Sequence, residues 1–156
     1  SKLCTITLTS GTGTCNLPAT GLPAGTAHLT ATYSGSTDYA TSASATTALT
    51  VGKAATKTSL TLSRAKVTYG KERTERLQVV VTAQRGGAPA GTVVVKAQLG
   101  RGRASTVCII MLASGKGKCT LAARRLRAGT YRLTAYYLGR TDFARSATAA
   151  KLTVVR

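Results

Sequence analysis

Two stretches decide the architecture: LCTITLTSGTGTCNLPATGLPAGTAHLTATYSGSTDYATSASA, residues 3–45, and VCIIMLASGKGKCTLAARRLRAGTYRLTAYYLGRTDFARSATA, residues 107–149. Laid over each other with an offset of 104 residues, they agree at 24 of 43 positions. Shared composition does not produce agreement at that level, so the chain contains an internal repeat. An offset near 100 residues exceeds any solenoid unit and fits one sandwich domain per repeat. The closing segments repeat as well, Leu49-Thr50-Val51 and Leu152-Thr153-Val154. The sequence therefore predicts two parts. Residues 1–52 form the C-terminal half of a repeat, its fourth to seventh strands, and residues 53–156 form a complete repeat.

The complete repeat reads as strands throughout. Thr, Val, Leu and Ala alternate in short runs, and Gly punctuates them, which favours strand over helix. Strands are expected at 58–63, 75–84, 91–98, 105–112, 117–122, 130–137 and 149–155. Seven short strands at regular spacing indicate an all-β, antiparallel sandwich or barrel. In 130–137, the period of two puts Tyr131, Leu133, Ala135 and Tyr137 on one face, which is assigned to the core. The matching residues of the first repeat are Ala27, Leu29, Ala31 and Tyr33. No run approaches the roughly 20 apolar residues that span a bilayer.

The segments YGKERTERLQVVV, GGAPAGTVVVKA, CIIMLASGKGKCTL, LRAGTYRLTAYYLGRTDFARS and KLTVV resemble the bacterial Ig-like group 3 domains. The resemblance implies an Ig-like fold. It also implies a setting in large secreted or cell-surface proteins, many of them actinobacterial, where such domains stand in tandem. Neighbouring Ig-like repeats are then the first expected partners. It implies no ligand, because this fold hosts many functions.

Cys4 and Cys15 lie 11 residues apart, as do Cys108 and Cys119. Each pair falls on the arms of an expected hairpin. A turn at Thr9-Ser10 would set Cys4 opposite Cys15, and the same register would set Cys108 opposite Cys119, with the sulfurs toward the core. One disulfide per repeat is the expected state, and it implies an oxidising, extracellular compartment. Buried free thiols are the alternative. Zinc would require four cysteines from two domains to converge without any CxxC, so no metal and no cofactor are expected.

Catalytic groups are scarce. His28 is the one histidine, and strand parity turns it outward. Asp38 and Asp142 occupy equivalent turns, where a carboxylate caps turn amides. Glu72 and Glu75 are expected to pair with nearby arginines. No Ser-His-Asp set or converging carboxylate pair can be assembled, so the chain is read as non-enzymatic.

The charge is +18, from 22 basic and 4 acidic residues, and it is unevenly placed. Residues 54–156 hold 20 of the basic residues and three of the acids. Thr12, Thr14, Thr20, Gly21, Pro23, His28, Ser36 and Thr41 become Lys116, Lys118, Arg124, Arg125, Arg127, Arg132, Arg140 and Arg145 in the second repeat. The fold does not require this charge, since the first repeat lacks it. In an Ig sandwich one end would gather Arg64, Lys66, Lys71, Arg73, Arg101, Arg103, Arg124, Arg125 and Arg127. The other would hold Arg85, Lys116, Lys118 and Arg140. The nine-residue end is a candidate contact for an anionic polymer such as teichoic acid, acidic polysaccharide or extracellular DNA. Sequence-specific nucleic-acid recognition is not expected, because no recognition helix, zinc finger or aromatic RNA-binding strand is present.

The function expected from these observations is a non-catalytic, secreted or cell-surface structural or adhesive module: a stalk, spacer or filament element. The alternative is a dedicated polyanion-binding module. The incomplete first repeat has two readings: a fragment whose preceding residues are missing, which is the simpler and favoured one, or a chain that another copy completes by strand complementation.

Overall fold

The computed structural model describes residues 2–156. These divide into two compact units, Ser1–Lys53 and Ala54–Arg156. The first unit contains β1 (Gly25–Leu29), β2 (Thr32–Tyr33), β3 (Ser42–Ala43) and β4 (Thr47–Val51). β1 pairs antiparallel with β4, and β2 with β3. None of its described residues is buried.

The second unit contains β5 (Thr56–Leu62), β6 (Lys66–Thr68), a single 3-10 turn (Glu72–Thr74), β7 (Arg76–Ala83), β8 (Gly91–Leu99), β9 (Ser105–Leu112), β10 (Lys116–Thr120), β11 (Gly129–Tyr137) and β12 (Ser146–Val155). They form two sheets. One has the order β10-β7-β5, and the other β6-β12-β11-β8-β9. Every pairing in these sheets is antiparallel except β6 with β12. The alternation read from the sequence is the cause. Leu77, Val79 and Val81 face inward from β7, and Val93, Val95 and Ala97 face inward from β8. Tyr131, Leu133, Ala135 and Tyr137 close the layer from β11, and all four are buried. Burial of these apolar faces, at roughly 25 cal/mol per Å², drives the two sheets together.

Two tyrosines join polar ends to this core. The Tyr131 hydroxyl donates to the Arg127 carbonyl at 3.1 Å, and the Tyr137 hydroxyl donates to the Ala90 carbonyl at 2.8 Å. Tyr131, near the start of β11, fixes the β10–β11 corner as the tyrosine corner of Ig domains does.

Three features depart from the sequence reading. The first strand is split: β5 stays with β7, and the chain then crosses to the other sheet as β6, where Val67 is buried. A three-residue strand leaves too little alternation to be read locally.

The second departure concerns β9 and β10. They were expected to pair as a hairpin, and they lie in different sheets, β9 on β8 and β10 on β7. Their backbone pairing is limited to the bridge between Ala113 and Lys116. The turn sits at Ser114-Gly115, with φ of 48° and 76°. These values are those of a type I′ turn, which requires positive φ at both central residues. Gly115 is also needed sterically, because a Cβ there would lie 2.5 Å from the Val81 carbonyl oxygen. The first unit repeats the turn at Ser10-Gly11, with Thr9 bridged to Thr12. The expected turn at Thr9-Ser10 is therefore displaced by one residue, and the cysteines are not directly opposite.

The third departure is in residues 2–24, where no strand forms among the positions equivalent to β9 and β10. In the second unit those strands pair with β8 and β7, and the described residues of the first unit contain no counterpart of either.

A disulfide staple and a candidate polyanion interface

The structure joins Cys4 to Cys15 and Cys108 to Cys119, with Cα separations of 6.5 and 6.6 Å. Because β9 and β10 belong to different sheets, the second bond is a staple between sheets, not a rung within a hairpin. Both of its cysteines are half-buried and pack against the hydrophobic core. Its position follows from a bulge in β9: Val95 pairs with Cys108, but Lys96 pairs with Thr106, so Val107 is an extra residue. Such an insertion bends the strand and re-aims the side chains beside it.

The nine predicted cations are all exposed. Arg64, Lys66, Lys71 and Arg73 lie on the segment between β5 and β7. Arg101 and Arg103 are in the β8–β9 loop, and Arg124, Arg125 and Arg127 in the β10–β11 loop. Alternating strand direction brings these three connections to one end, and two hydrogen bonds tie them together there. The Arg124 backbone N–H donates to Glu72 Oε2 at 2.8 Å. The Arg125 guanidinium donates to the Thr106 carbonyl at 2.8 Å, just past Arg103 at the start of β9. Arg85 and Arg140 belong to the connections at the other end, and Lys116 and Lys118 lie on β10, Lys116 as its first residue.

The glutamates behave differently from the sequence expectation. Glu72 and Glu75 do not sit on the surface among the arginines; each is 0 % exposed. Glu72 anchors the β10–β11 loop through the Arg124 amide, at a residue whose φ of 57° is left-handed. Glu75 Oε2 accepts from the Ser63 hydroxyl at 3.1 Å, and the Ser63 oxygen in turn accepts from the Arg76 amide. Glu72 and Glu75 each keep Oε1 without a hydrogen-bond partner. Two acids are thus buried beneath the basic end, where they hold its loops. A Glu surrounded by Lys and Arg reads as a surface ion pair, and no local pattern distinguishes it from one turned inward at the end of a sandwich.

Burial pushes the Glu75 carboxyl above its ordinary value of 4.5, against the opposing pull of the Ser63 hydroxyl, the nearby backbone amides and the Arg64 charge. Between 4.5 and its raised value, the folded chain therefore holds a proton that the unfolded chain has released. Stability from this group is fully present below pH 4.5 and is lost as pH rises through the folded value. Glu75→Gln, which keeps the shape and removes the charge, is expected to raise the melting temperature at neutral pH and to change it little at pH 4 or below. Calorimetry at the two pH values checks this. A melting temperature lowered at neutral pH would contradict it.

His28 is exposed on β1, opposite Ala48. The turn holding Asp142 is closed by reciprocal backbone hydrogen bonds between Arg140 and Phe143, at 3.0 and 3.3 Å. Among the described residues no three His, Cys, Asp or Glu side chains come together in a way that could hold a metal ion. Among the described residues no helix is long and apolar enough to cross a membrane.

Residues 60–155 match the family described as Bacterial Ig-like domain (group 3). The chain belongs to this family. No curated protein and no solved structure matches it. The matched span runs from within β5 to the last residue of β12, so the two-sheet unit is the Ig-like domain. Membership of this family suggests a structural module. The two disulfides and the Ig-like fold fit an extracellular setting, where oxidised cysteines persist.

Proposed function

We propose that the chain is a secreted or surface-exposed, non-catalytic Ig-like module that spaces or presents neighbouring domains and uses its basic end to contact an anionic polymer. The observation that carries the second half is the basic end itself. Nine exposed cations stand on three loops, and those loops are fastened to one another by the Glu72–Arg124 and Arg125–Thr106 hydrogen bonds. The repeat comparison supports it for the three that it covers: Arg124, Arg125 and Arg127 stand where the first repeat has Thr20, Gly21 and Pro23, so their charge serves something other than folding. Acidic polysaccharide, teichoic acid and extracellular DNA share the required chemistry, closely spaced anions along a flexible chain.

Heparin is a suitable probe. Binding to it should weaken steeply with salt, by roughly a thousandfold or more between 50 and 200 mM if six or more contacts form. Replacing Arg124, Arg125 and Arg127 together with glutamine should flatten the logarithmic salt slope by nearly three. The same change at Arg85, Lys116 and Arg140 should have a smaller effect. Binding that is insensitive to salt, or absent at low salt, would remove the polyanion contact from the proposal.

A further inference from the structure

Strand β9 is an edge of the five-stranded sheet. Residues 104–115, which contain it, are the longest run of the second unit without a charged residue, and they contain no proline. Edges are ordinarily blunted by Lys, Pro or bulges, because their unpaired N–H and C=O groups recruit other strands. Here the bulge at Val107 interrupts only the first part of β9. Beyond it the outward side chains are Ile109 and Met111, 65 % and 71 % exposed. Register sets Ile109 beside Val94, Val94 beside Tyr136, and Tyr136 beside Ala147. An apolar row therefore crosses four strands, lining a groove of about 720 Å³ that Lys96 and Arg145 also line.

The internal repeat supplies the control. Inward-facing Cys108, Ile110 and Leu112 correspond to Cys4, Ile6 and Leu8. Outward Ile109, Met111, Tyr136 and Leu138 correspond to Thr5, Thr7, Thr32 and Ser34. The repeat keeps the inward set and replaces the outward set, so the apolar outer residues are not part of the shared sequence pattern. Like the added cations, they belong to the second unit alone.

We propose that β9 is a docking edge for an extended segment of another protein, with an apolar, strand-forming centre flanked by acidic residues. The backbone of that segment pairs with β9, and its central side chains lie on Ile109 and Met111. Its acidic flanks meet Arg103 and Arg125 at one end of β9 and Lys116 at the other. Charge decides the occupant. This chain has only four carboxylates, and Glu72 and Glu75 are buried, so it offers no such acidic segment itself. A second copy is disfavoured, because antiparallel pairing of two β9 strands brings Arg103 of each copy toward Lys116 of the other. The docking edge shares Arg103 and Arg125 with the polyanion contact and differs from it in needing a strand-forming peptide and not charge alone.

The test uses the whole chain and a synthetic peptide of alternating valine and threonine with paired aspartates at each end. Amide and methyl chemical shifts are expected to move along β9 and at Val94. Ile109→Lys and Met111→Lys, both at outward positions, should each weaken binding by roughly tenfold or more without lowering the melting temperature. Proline at the centre of the peptide should do the same, and polyglutamate should leave β9 unshifted. Unchanged affinity in both lysine variants, equal binding of the proline peptide, or no shift in β9 overturns the proposal. A wild-type dimer that Ile109→Lys converts to monomer also overturns it, assigning the edge to a second copy.

Discussion

Replacing Cys108 and Cys119 together with alanine is expected to lower the unfolding free energy of the second unit by about 3 kcal/mol. The closed loop is short, with 11 residues of separation, and in the chain-entropy model a loop of this size yields about that value. The bond also joins the sheets at β9 and β10, whose backbone pairing is otherwise limited to one bridge. For a unit of this size each kcal/mol moves the melting temperature by about 4–8 °C, so a drop of roughly 12–24 °C is expected. Thermal unfolding of the whole chain, followed by circular dichroism, measures it. The matching Cys4→Ala, Cys15→Ala pair should leave this transition in place, because that bond lies in the first unit. A loss below about 1 kcal/mol at the second pair would mean that the sheets hold together without the staple.

Leu133→Ala is expected to cost about 2–5 kcal/mol. Leu133 is 0 % exposed at the middle of β11, paired on one side with Ala150 of β12 and on the other with Ala97 of β8. Small neighbours on both flanking strands leave the leucine as the main volume at that level of the sheet, so its loss opens a cavity that they cannot fill. A domain of this kind has about 5–15 kcal/mol in total, and the substitution removes a large share. Denaturant titration should show a lower midpoint with an unchanged slope. Tyr136→Ala, on the opposite face of the same strand and 41 % exposed, should cost much less. Equal losses at the two positions would contradict the assignment of the inward face.

Strand positions were legible because alternation is local. The β11 core face and the extent of β9 follow from a period of two and from glycine at the turns, whereas the Ig-like class came from the resemblance of whole segments to that family. Partner choice was not legible. Ser114-Gly115 announces a tight turn, but nothing near it says that β9 will pair with β8 while β10 pairs with β7. That outcome depends on which sheet buries Ile110 and Leu112, a property of the whole sandwich. The same limit hid the shift of the cysteine register, since a type I′ turn at Ser114-Gly115 and a turn one residue earlier differ only in backbone φ. The basic end was legible in kind, because charge on loops survives changes in pairing. Its foundation of buried glutamates was not, because burial of Glu72 depends on the Arg124 amide, which is distant in sequence.

The second unit is an Ig-like domain stapled between its sheets by Cys108 and Cys119, as fits an oxidising setting. Non-reducing digestion of the intact chain followed by mass spectrometry tests it most directly. The expected result is an intact mass four hydrogens below the fully reduced value, with Cys4 linked to Cys15 and Cys108 linked to Cys119. Four free thiols in chain secreted from its native host, or a bond running from one unit to the other, would contradict it.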